Sequence, residues 1–380
     1  MIITNIAISV FDISRIIGPA NLTLHGDEPN TRWVSSPAGG TYRGPLHILH
    51  VQTDEDIEGI CTVGDARYTT MTTQVLEQLR VSAIGHDPLN RMHLYDKMHA
   101  TTRSIFVPPG WFGAFDNCLW DIAGKVAQKP VYSLIGKVRP NAQAYYNILG
   151  ETLGELLEDT QKAISKGFLA AKDHLHNDAP TNTAWMSAIR NSVGPDIDLM
   201  HDAVMSAYSL DDAITVGKQL KDLNFRWFEE PLPDRHLRDL QTLCKTIDVP
   251  VLNPESLMND IDLSSEWLIT GATDLLRGNG RHGTTPILKL ADLAKSRNTT
   301  IELNGPGGLF GILHAHMMCC IRNTSYYEYF PNGSRDELGK EIGLLNPPIP
   351  INGRITPPDG PGWGAEWDME FFKKKRIAVI

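Results

Sequence analysis

No stretch of this chain approaches the roughly 20 consecutive apolar residues of a membrane-spanning helix, so none is expected. The opening run MIITNIAISVFDI alternates as a strand does and lacks the cationic head and apolar centre of a secretory signal, so no targeting segment is expected either. Cysteine is sparse. Five residues (Cys61, Cys118, Cys244, Cys319, Cys320), an odd number without metal-site spacing, suit a reducing compartment better than a disulfide framework, and a cytoplasmic location is expected. Positive charge is in deficit: 35 Lys and Arg stand against 45 Asp and Glu, and the formal charge of -10 repels any polyanion. Nucleic acid and anionic membrane are therefore not expected as partners. A small anionic substrate stays admissible, because a bound dication reverses the field locally.

What the chain does have is a repeat. Hydrophobic residues make up 42% and charged ones 21%, the profile of a globular protein with enough core for two domains. From about residue 141 a short apolar run ending in polar residues alternates with a segment of helical period. The runs are AQAYYNIL, FLAAKDH, DIDLMHDA, FRWFEE, VPVLNPE, TDLLRGN, TTIELN and SYYEYF. Segments between them, such as GELLEDTQKAISK and SLDDAITVGKQLKDL, are long enough for one crossover helix each. Eight βα units in succession predict a closed parallel barrel with its site at the C-terminal strand ends. Residues 1–125 lack the repeat and read as an α+β unit, 126–335 as the barrel, and 336–380 as a Pro- and Gly-rich segment too irregular for a core element that returns to the first unit. His25–Arg43, rich in Gly, Pro, Ser and Asn, reads as a mobile loop.

Three strand ends carry a carboxylate: Asp202, Glu229 and Glu255, spaced 27 and 26 residues apart, one βα unit each. Any one of them could cap a helix or face solvent. Three in phase with the repeat point to a hard cation, and Mg²⁺ takes such oxygens in near-octahedral geometry with positions left for water or substrate. Strand two ends in AAKDHLH, and Lys172 and His174, at i and i+2, leave a strand on the same side. A lysine beside a dication and partly desolvated has its pKa lowered toward neutrality, so Lys172 or His174 could act as general base. His176 falls in the loop beyond.

These residues carry a resemblance. LMHDA, WFEEPLP and VPVLNPES resemble the metal-binding series of the enolase superfamily, and FDNCLWDIAGKVAQKPVYSLIG resembles the linker helix of its mandelate-racemase-like branch. The resemblance covers nearly the whole chain. It implies an α/β fold, a modified TIM (β/α) barrel with an α+β capping domain completed by the C-terminal tail. It also implies Mg²⁺ on Asp202, Glu229 and Glu255 with Glu230 as a neighbour, a symmetric homo-oligomer, and abstraction of the proton alpha to the carboxylate of a small acid sugar. Pro254 stands where the family usually has Gly. The family's Asp on strand six and His on strand seven, a second base dyad, are matched here by Asn279 and Asn304, and an amide is no proton-transfer base.

Loss of the dyad argues against two-base racemisation and for one-sided elimination of water, the lyase chemistry of an acid-sugar dehydratase giving a 2-keto-3-deoxy acid. Cycloisomerisation or lactone opening and epimerisation share the same enolate, and a metal-binding relative without turnover is a third reading. Glu328 resembles the family glutamate that hydrogen-bonds the substrate carboxylate. Arg277 would bind an anionic group or close a salt bridge across the mouth, and His282 is a candidate substitute acid unless it is a surface-loop residue. Trp33, Tyr42 and Arg43 would select substrate from the mobile loop. The glycines of NGPGG would offer amides to an anion or simply make a tight turn. His314 and His316 face different sides of a helix, a weak case for a second metal.

Overall fold

The computed structural model describes residues 1–15, 23–25, 33–35, 42–63, 70–204, 208–305, 308–331 and 338–380, with backbone alone at 14–15, 23–25, 33–35, 42–43, 308, 310 and 338. The N-terminal unit is built on two long antiparallel strands, β1 (Ile3–Arg15) and β4 (Tyr42–Thr53). Between them in sequence lies the hairpin of β2 (Thr23–His25) and β3 (Trp33–Ser35), and β5 (Glu58–Thr62) extends the sheet past β4. Alternation along β1 puts Ile6 and Ile8 on one face and Phe11 and Ile13 on the other. The first face joins the core of α1 (Thr73–Ala83), α2 (Arg91–Ile105) and α3 (Gly113–Val126) through Leu79, Leu94 and Phe115. The second packs on the C-terminal helix (Met369–Lys375), whose Phe372 ring meets Phe11 edge-on at 4.7 Å, and the last strand (Ala378–Val379) pairs with β1. The tail thus completes the capping unit.

After the short α4 (Val131–Ile135) come eight strands: β6 (Ala142–Asn147), β7 (Ala170–Asp173), β8 (Asp198–Asp202), β9 (Phe225–Glu229), β10 (Val251–Asn253), β11 (Leu275–Gly278), β12 (Ile301–Leu303) and β13 (Tyr326–Tyr329). The helices between them are α5 (Leu153–Ser165), α6 (Ala179–Val193), α7 (Leu210–Asp222), α8 (Leu237–Thr246), α9 (Ile261–Ile269), α10 (Thr284–Ser296) and α11 (Gly308–Cys320). Several starts are written locally: Thr152 with Glu155 and Ser209 with Asp212 make reciprocal capping boxes for α5 and α7. Neighbouring strands from β6 to β12 pair in parallel, and β13 closes back onto β6. At the β12–β13 seam a side chain takes over: the Glu302 carboxylate accepts from Ser325 N–H at 3.0 Å and Ser325 Oγ at 2.8 Å, beside one backbone bond from Ile301 to Asn323.

Three expectations need correction. The strands stop earlier than their apolar runs: Pro254 has no N–H to extend β10, so Glu255 lies two residues past it, while His174, Asn279 and Asn304 each lie one residue past β7, β11 and β12. The C-terminal stretch does supply core. Proline and glycine shorten its elements without preventing burial: β14 (Arg354–Ile355) pairs with β6, and Trp363, 1% exposed, donates its indole N–H to Asn117 O at 3.0 Å. The backbones of Trp33, Tyr42 and Arg43 belong to strands β3 and β4 rather than to a loop, held by pairs such as His25–Trp33 and Arg15–Tyr42. The side chains of these three lie outside the described residues, and so does most of the remaining His25–Arg43 segment. No helix among the described residues is long and apolar enough to cross a membrane.

The linker helix α3 reaches into the barrel. α10 follows Gly283, which has no capping side chain, and its orphan amides are satisfied from α3 instead: Asn117 Oδ1 accepts from Thr284 N–H at 2.9 Å and Asp116 Oδ2 from Thr285 N–H at 2.8 Å. Asn117 also donates to Gly280 O at 2.6 Å, fixing the turn after β11. Gly113 lets the helix approach, since a Cβ there would lie 2.2 Å from Arg281 O. Burial pushes the Asp116 carboxyl up to about 6 from 3.8, against the pull of its Thr285 bonds. Between those values the folded chain holds a proton that the unfolded chain has released, so this group's contribution to stability falls as pH rises through the window. In Asp116→Asn, the loss of unfolding free energy between about pH 4 and pH 7 should therefore be smaller than in the parent by up to about 3 kcal/mol. Denaturant titrations at both pH values measure it, and parallel losses would remove Asp116 as the cause.

Candidate active site

Under the mouth of the barrel, Tyr145, Ala170, Met200, Trp227, Leu252 and Tyr326 form a buried layer, an apolar floor. The next inward residue of each strand stands above it: Lys172 over Ala170, Asp202 over Met200, Glu229 over Trp227, Arg277 over Leu275 and Glu328 over Tyr326. Lys172 Nζ lies 3.1 Å from Asp202 Oδ2, 2.9 Å from Glu229 Oε2 and 2.8 Å from Glu328 Oε1. Arg277 Nη2 lies 2.5 Å from Glu229 Oε1 and 2.9 Å from Glu328 Oε2, and its Nε 3.5 Å from Glu255 Oε2. Trp227 Nε1 donates to Glu229 Oε2 at 3.2 Å. Both cations are 1% exposed.

Exposure rises at two sides of the rim. On the β7 side His174 keeps 29% of its side chain exposed, with Nε2 3.3 Å from Asp202 Oδ2, and lines a cleft of ≈ 370 Å³ with Trp185 and Phe330. On the β10 side Glu255 lines a second cleft, of ≈ 500 Å³, with Met71 and Trp111 from the capping unit and Arg281 and His282 from the loop after β11.

Burial opposes the charge of Lys172, yet Glu229 and Glu328 hold its ammonium well above the usual range. Three carboxylates within 3.1 Å favour its charged form, the opposite direction from the shift expected beside a dication. Burial lowers the His174 imidazole below 6.5, with Asp202 pulling the other way. Glu230, at φ 46°, is pushed well above the carboxylate range by burial and by Glu255 and Asp202.

Among the described residues no three His, Cys, Asp or Glu side chains are gathered into a metal cage, since Lys172 and Arg277 stand between the carboxylates. The donor set still fits Mg²⁺. Asp202, Glu229 and Glu255 offer hard oxygens from three adjacent strands, and with Glu328 they outnumber the two cations by two negative charges, the deficit a dication fills.

Residues 155–371 match the family model for the enolase C-terminal domain-like unit, and residues 24–136 that for the mandelate racemase / muconate lactonizing enzyme N-terminal domain. The chain belongs to the enolase superfamily. Its N-terminal match puts it in the mandelate-racemase-like branch of that superfamily. Arabinonate dehydratase of Saccharolobus solfataricus is 26% identical to it over 287 residues, covering 72% of this chain and 74% of that enzyme. A D-galactonate dehydratase family member of Enterococcus gallinarum is 25% identical over 353 residues, covering 83% and 86%. The D-glucarate dehydratase of Agrobacterium tumefaciens, solved with magnesium, matches over 100% of both chains with TM-score 0.82 and 26% identity.

Within this superfamily member the mouth brings together Lys172, His174, Asp202, Glu229, Glu255, Arg277 and Glu328. Asn279 and Asn304 also meet: Asn279 Nδ2 donates to Asn304 Oδ1 at 2.6 Å and Asn304 Nδ2 to Glu255 Oε2 at 3.0 Å. By strand order they lie across the barrel from His174. Arg277 closes a salt bridge under the mouth instead of facing an anion-binding space. His282 stands in the larger cleft, where Nε2 accepts from Arg281 Nε at 3.1 Å. The Gly305 amide of NGPGG does meet an anion, the Glu328 carboxylate of the chain itself. His314 accepts from Gly280 N–H at 2.7 Å and His316 from Tyr132 N–H at 3.3 Å, and burial pushes both down to about 3, so they serve as structural acceptors.

Two parts went unanticipated. Asn147, at the end of β6, donates to Glu328 Oε1 at 3.3 Å, and its place as the polar end of the first apolar run was a usable signal. Behind Lys172 and Asp202, His201 Nδ1 lies 2.6 Å from Asp173 Oδ1 and its Nε2 3.1 Å from Tyr208 OH. Those residues look outward from the strands, where alternation alone suggests only packing. If Lys172 is the counter-ion of the cluster, Lys172→Met leaves buried carboxylates unpaired and should destabilise the metal-free protein by about 3–5 kcal/mol. His174→Ala, at the exposed rim, should cost under about 1 kcal/mol. Thermal or denaturant unfolding of the two variants decides, and comparable losses would contradict the assignment.

Proposed function

We propose that the protein is a Mg²⁺-dependent acid-sugar dehydratase in which His174 removes the proton alpha to the substrate carboxylate and water is eliminated to give a 2-keto-3-deoxy acid. The dehydratase names of its relatives, arabinonate dehydratase and D-glucarate dehydratase among them, support the substrate class. The observation that carries the mechanism is the asymmetry of the mouth: a part-exposed imidazole on one side, a hydrogen-bonded pair of amides on the other. Held by Asp202, Glu229 and Glu255, Mg²⁺ would supply Lewis-acid stabilisation of the charge that develops on the substrate carboxylate.

The chain's own residues account for the rest. Lys172, ringed by three carboxylates that favour its charged form, places positive charge beside them, and His174, the more exposed of the pair, takes the part of the base. His174 accepts the α-proton on a ring nitrogen, and the released C–H electron pair becomes the new carbon–carbon double bond as the β-hydroxyl departs. The leaving oxygen needs one proton to become water, and the His174 imidazolium carries one. Tautomerisation of the enol then places a solvent proton on C3 and yields the ketone. Asn279 and Asn304 cannot deliver a proton to the opposite face, so racemisation lacks its second base.

Incubating the Mg²⁺-loaded protein with a panel of aldonic and aldaric acids in D₂O tests the reading by mass spectrometry and proton NMR. For at least one acid, loss of water with a 2-keto product is expected, and His174→Ala should lower both turnover and α-exchange by about 10²–10⁴-fold. An isomeric product without loss of water would replace dehydration by cycloisomerisation. Undiminished exchange in His174→Ala would remove it as the base.

A further inference from the structure

Arg277 has no part in the proton transfer, yet it occupies the most constrained place in the site. It is 1% exposed, and its Nη2 contacts Glu229 Oε1 at 2.5 Å and Glu328 Oε2 at 2.9 Å while Nε approaches Glu255 Oε2 at 3.5 Å. Two of the three carboxylates assigned to the metal are therefore already bridged by one guanidinium. Glu229 Oε2 is taken by Lys172 at 2.9 Å and Trp227 Nε1 at 3.2 Å, while Oε1 faces Arg277 Nη2 at 2.5 Å and is buried without a hydrogen bond among the described residues. Nη1 of Arg277 is buried without a hydrogen-bond partner among the described residues, so its fork is only partly engaged and can re-aim.

We propose that Arg277 is a resident competitor for the divalent cation, a positioning residue that holds Glu229 and Glu255 in place of the metal and must yield them when the metal binds. The reasoning is electrostatic and geometric, and it rests on the metal-ligand assignment above. A guanidinium and a dication cannot share the same carboxylate edges in a poorly solvated site without strong mutual repulsion. Metal entry must move the Arg277 fork toward Glu328, where one of its bonds already lies. Two properties follow. The carboxylate cluster is neutralised enough to fold before metal arrives, and the metal affinity is lower than the same three ligands would give alone. Mn²⁺, a spectroscopically visible hard dication of the same coordination preference, is a fitting probe.

The test compares metal-stripped full-length protein, Arg277→Gln, Arg277→Lys and Asp202→Asn, reading Mn²⁺ affinity by calorimetry or electron paramagnetic resonance and the thermal midpoint with and without metal, all without substrate. Arg277→Gln is expected to bind Mn²⁺ at least tenfold more tightly than the parent, to melt lower when stripped, and to gain more on metal addition. Arg277→Lys, which replaces the planar fork by a single ammonium on a shorter side chain, should fall between them. This variant keeps the test decisive if Arg277→Gln does not fold without metal. A purely structural role for Arg277 would leave affinity unchanged or weaken it, and either result in whichever variant folds overturns the proposal. Asp202→Asn separates the two levels. If it abolishes Mn²⁺ binding while the Arg277 variants bind no more tightly than the parent, the competitor role alone fails. If it leaves Mn²⁺ binding intact, the ligand assignment fails, and the proposal with it.

Discussion

Repulsion among four carboxylates gathered over an apolar floor is the constraint on which the rest of this site depends. Asp202, Glu229, Glu255 and Glu328 arrive together because the βα units deliver residues at, or in the case of Glu255 two past, the ends of their strands to one rim. Left alone, such a cluster would protonate or splay apart. While burial still pushes the Glu229 carboxyl up to about 8, Lys172 and Arg277 oppose both, each placed between several carboxylates within salt-bridge distance. Their burial makes the arrangement rigid as well as charged, since a buried ion pair loses heavily if either member leaves. The carboxylates are thus gathered at the mouth by two cationic side chains.

That arrangement explains what was legible in the sequence and what was not. The eight-unit barrel, and the gathering of Asp202, Glu229, Glu255, Lys172 and His174 at one rim, follow from periodicity and from polar residues at fixed offsets. So does the absence of a second base, because Asn279 and Asn304 are visible by type. The carboxylates that share the space of Lys172 were not legible, because which strand ends lie within 3.1 Å of its ammonium is set by packing across the barrel. Arg277 was hard to place for the same reason. Whether a buried guanidinium binds substrate or braces ligands depends on distances from β11 to β9, β10 and β13, which no spacing encodes. The hydrogen-bonded group of Asp173, His201 and Tyr208 was invisible because its members look outward between turns of chain remote in sequence.

The two domains are bound less by their sheets than by one helix. α3 belongs to the capping unit, but its Asp116 and Asn117 provide the caps that α10 of the barrel lacks. The same helix fixes Gly280 O, next to Asn279, so the amide pair at the mouth is set from the capping side. Trp363 of the tail, donating to Asn117 O, ties the end of the chain to the same point. Fold completion and site assembly are therefore linked events.

The seam between β12 and β13 gives the barrel a direction of weakness. Among the described residues one backbone bond, Ile301 N–H to Asn323 O, crosses this joint, and the Glu302 carboxylate aimed at Ser325 supplies the rest. The barrel is in this sense a ring fastened by a clasp, and closure there depends largely on a side chain. Such a ring can breathe at its clasp without unwinding the rest of its circumference. Glu328, which lies on the strand just beyond that clasp and touches both internal cations, is the part of the site that would feel such breathing first.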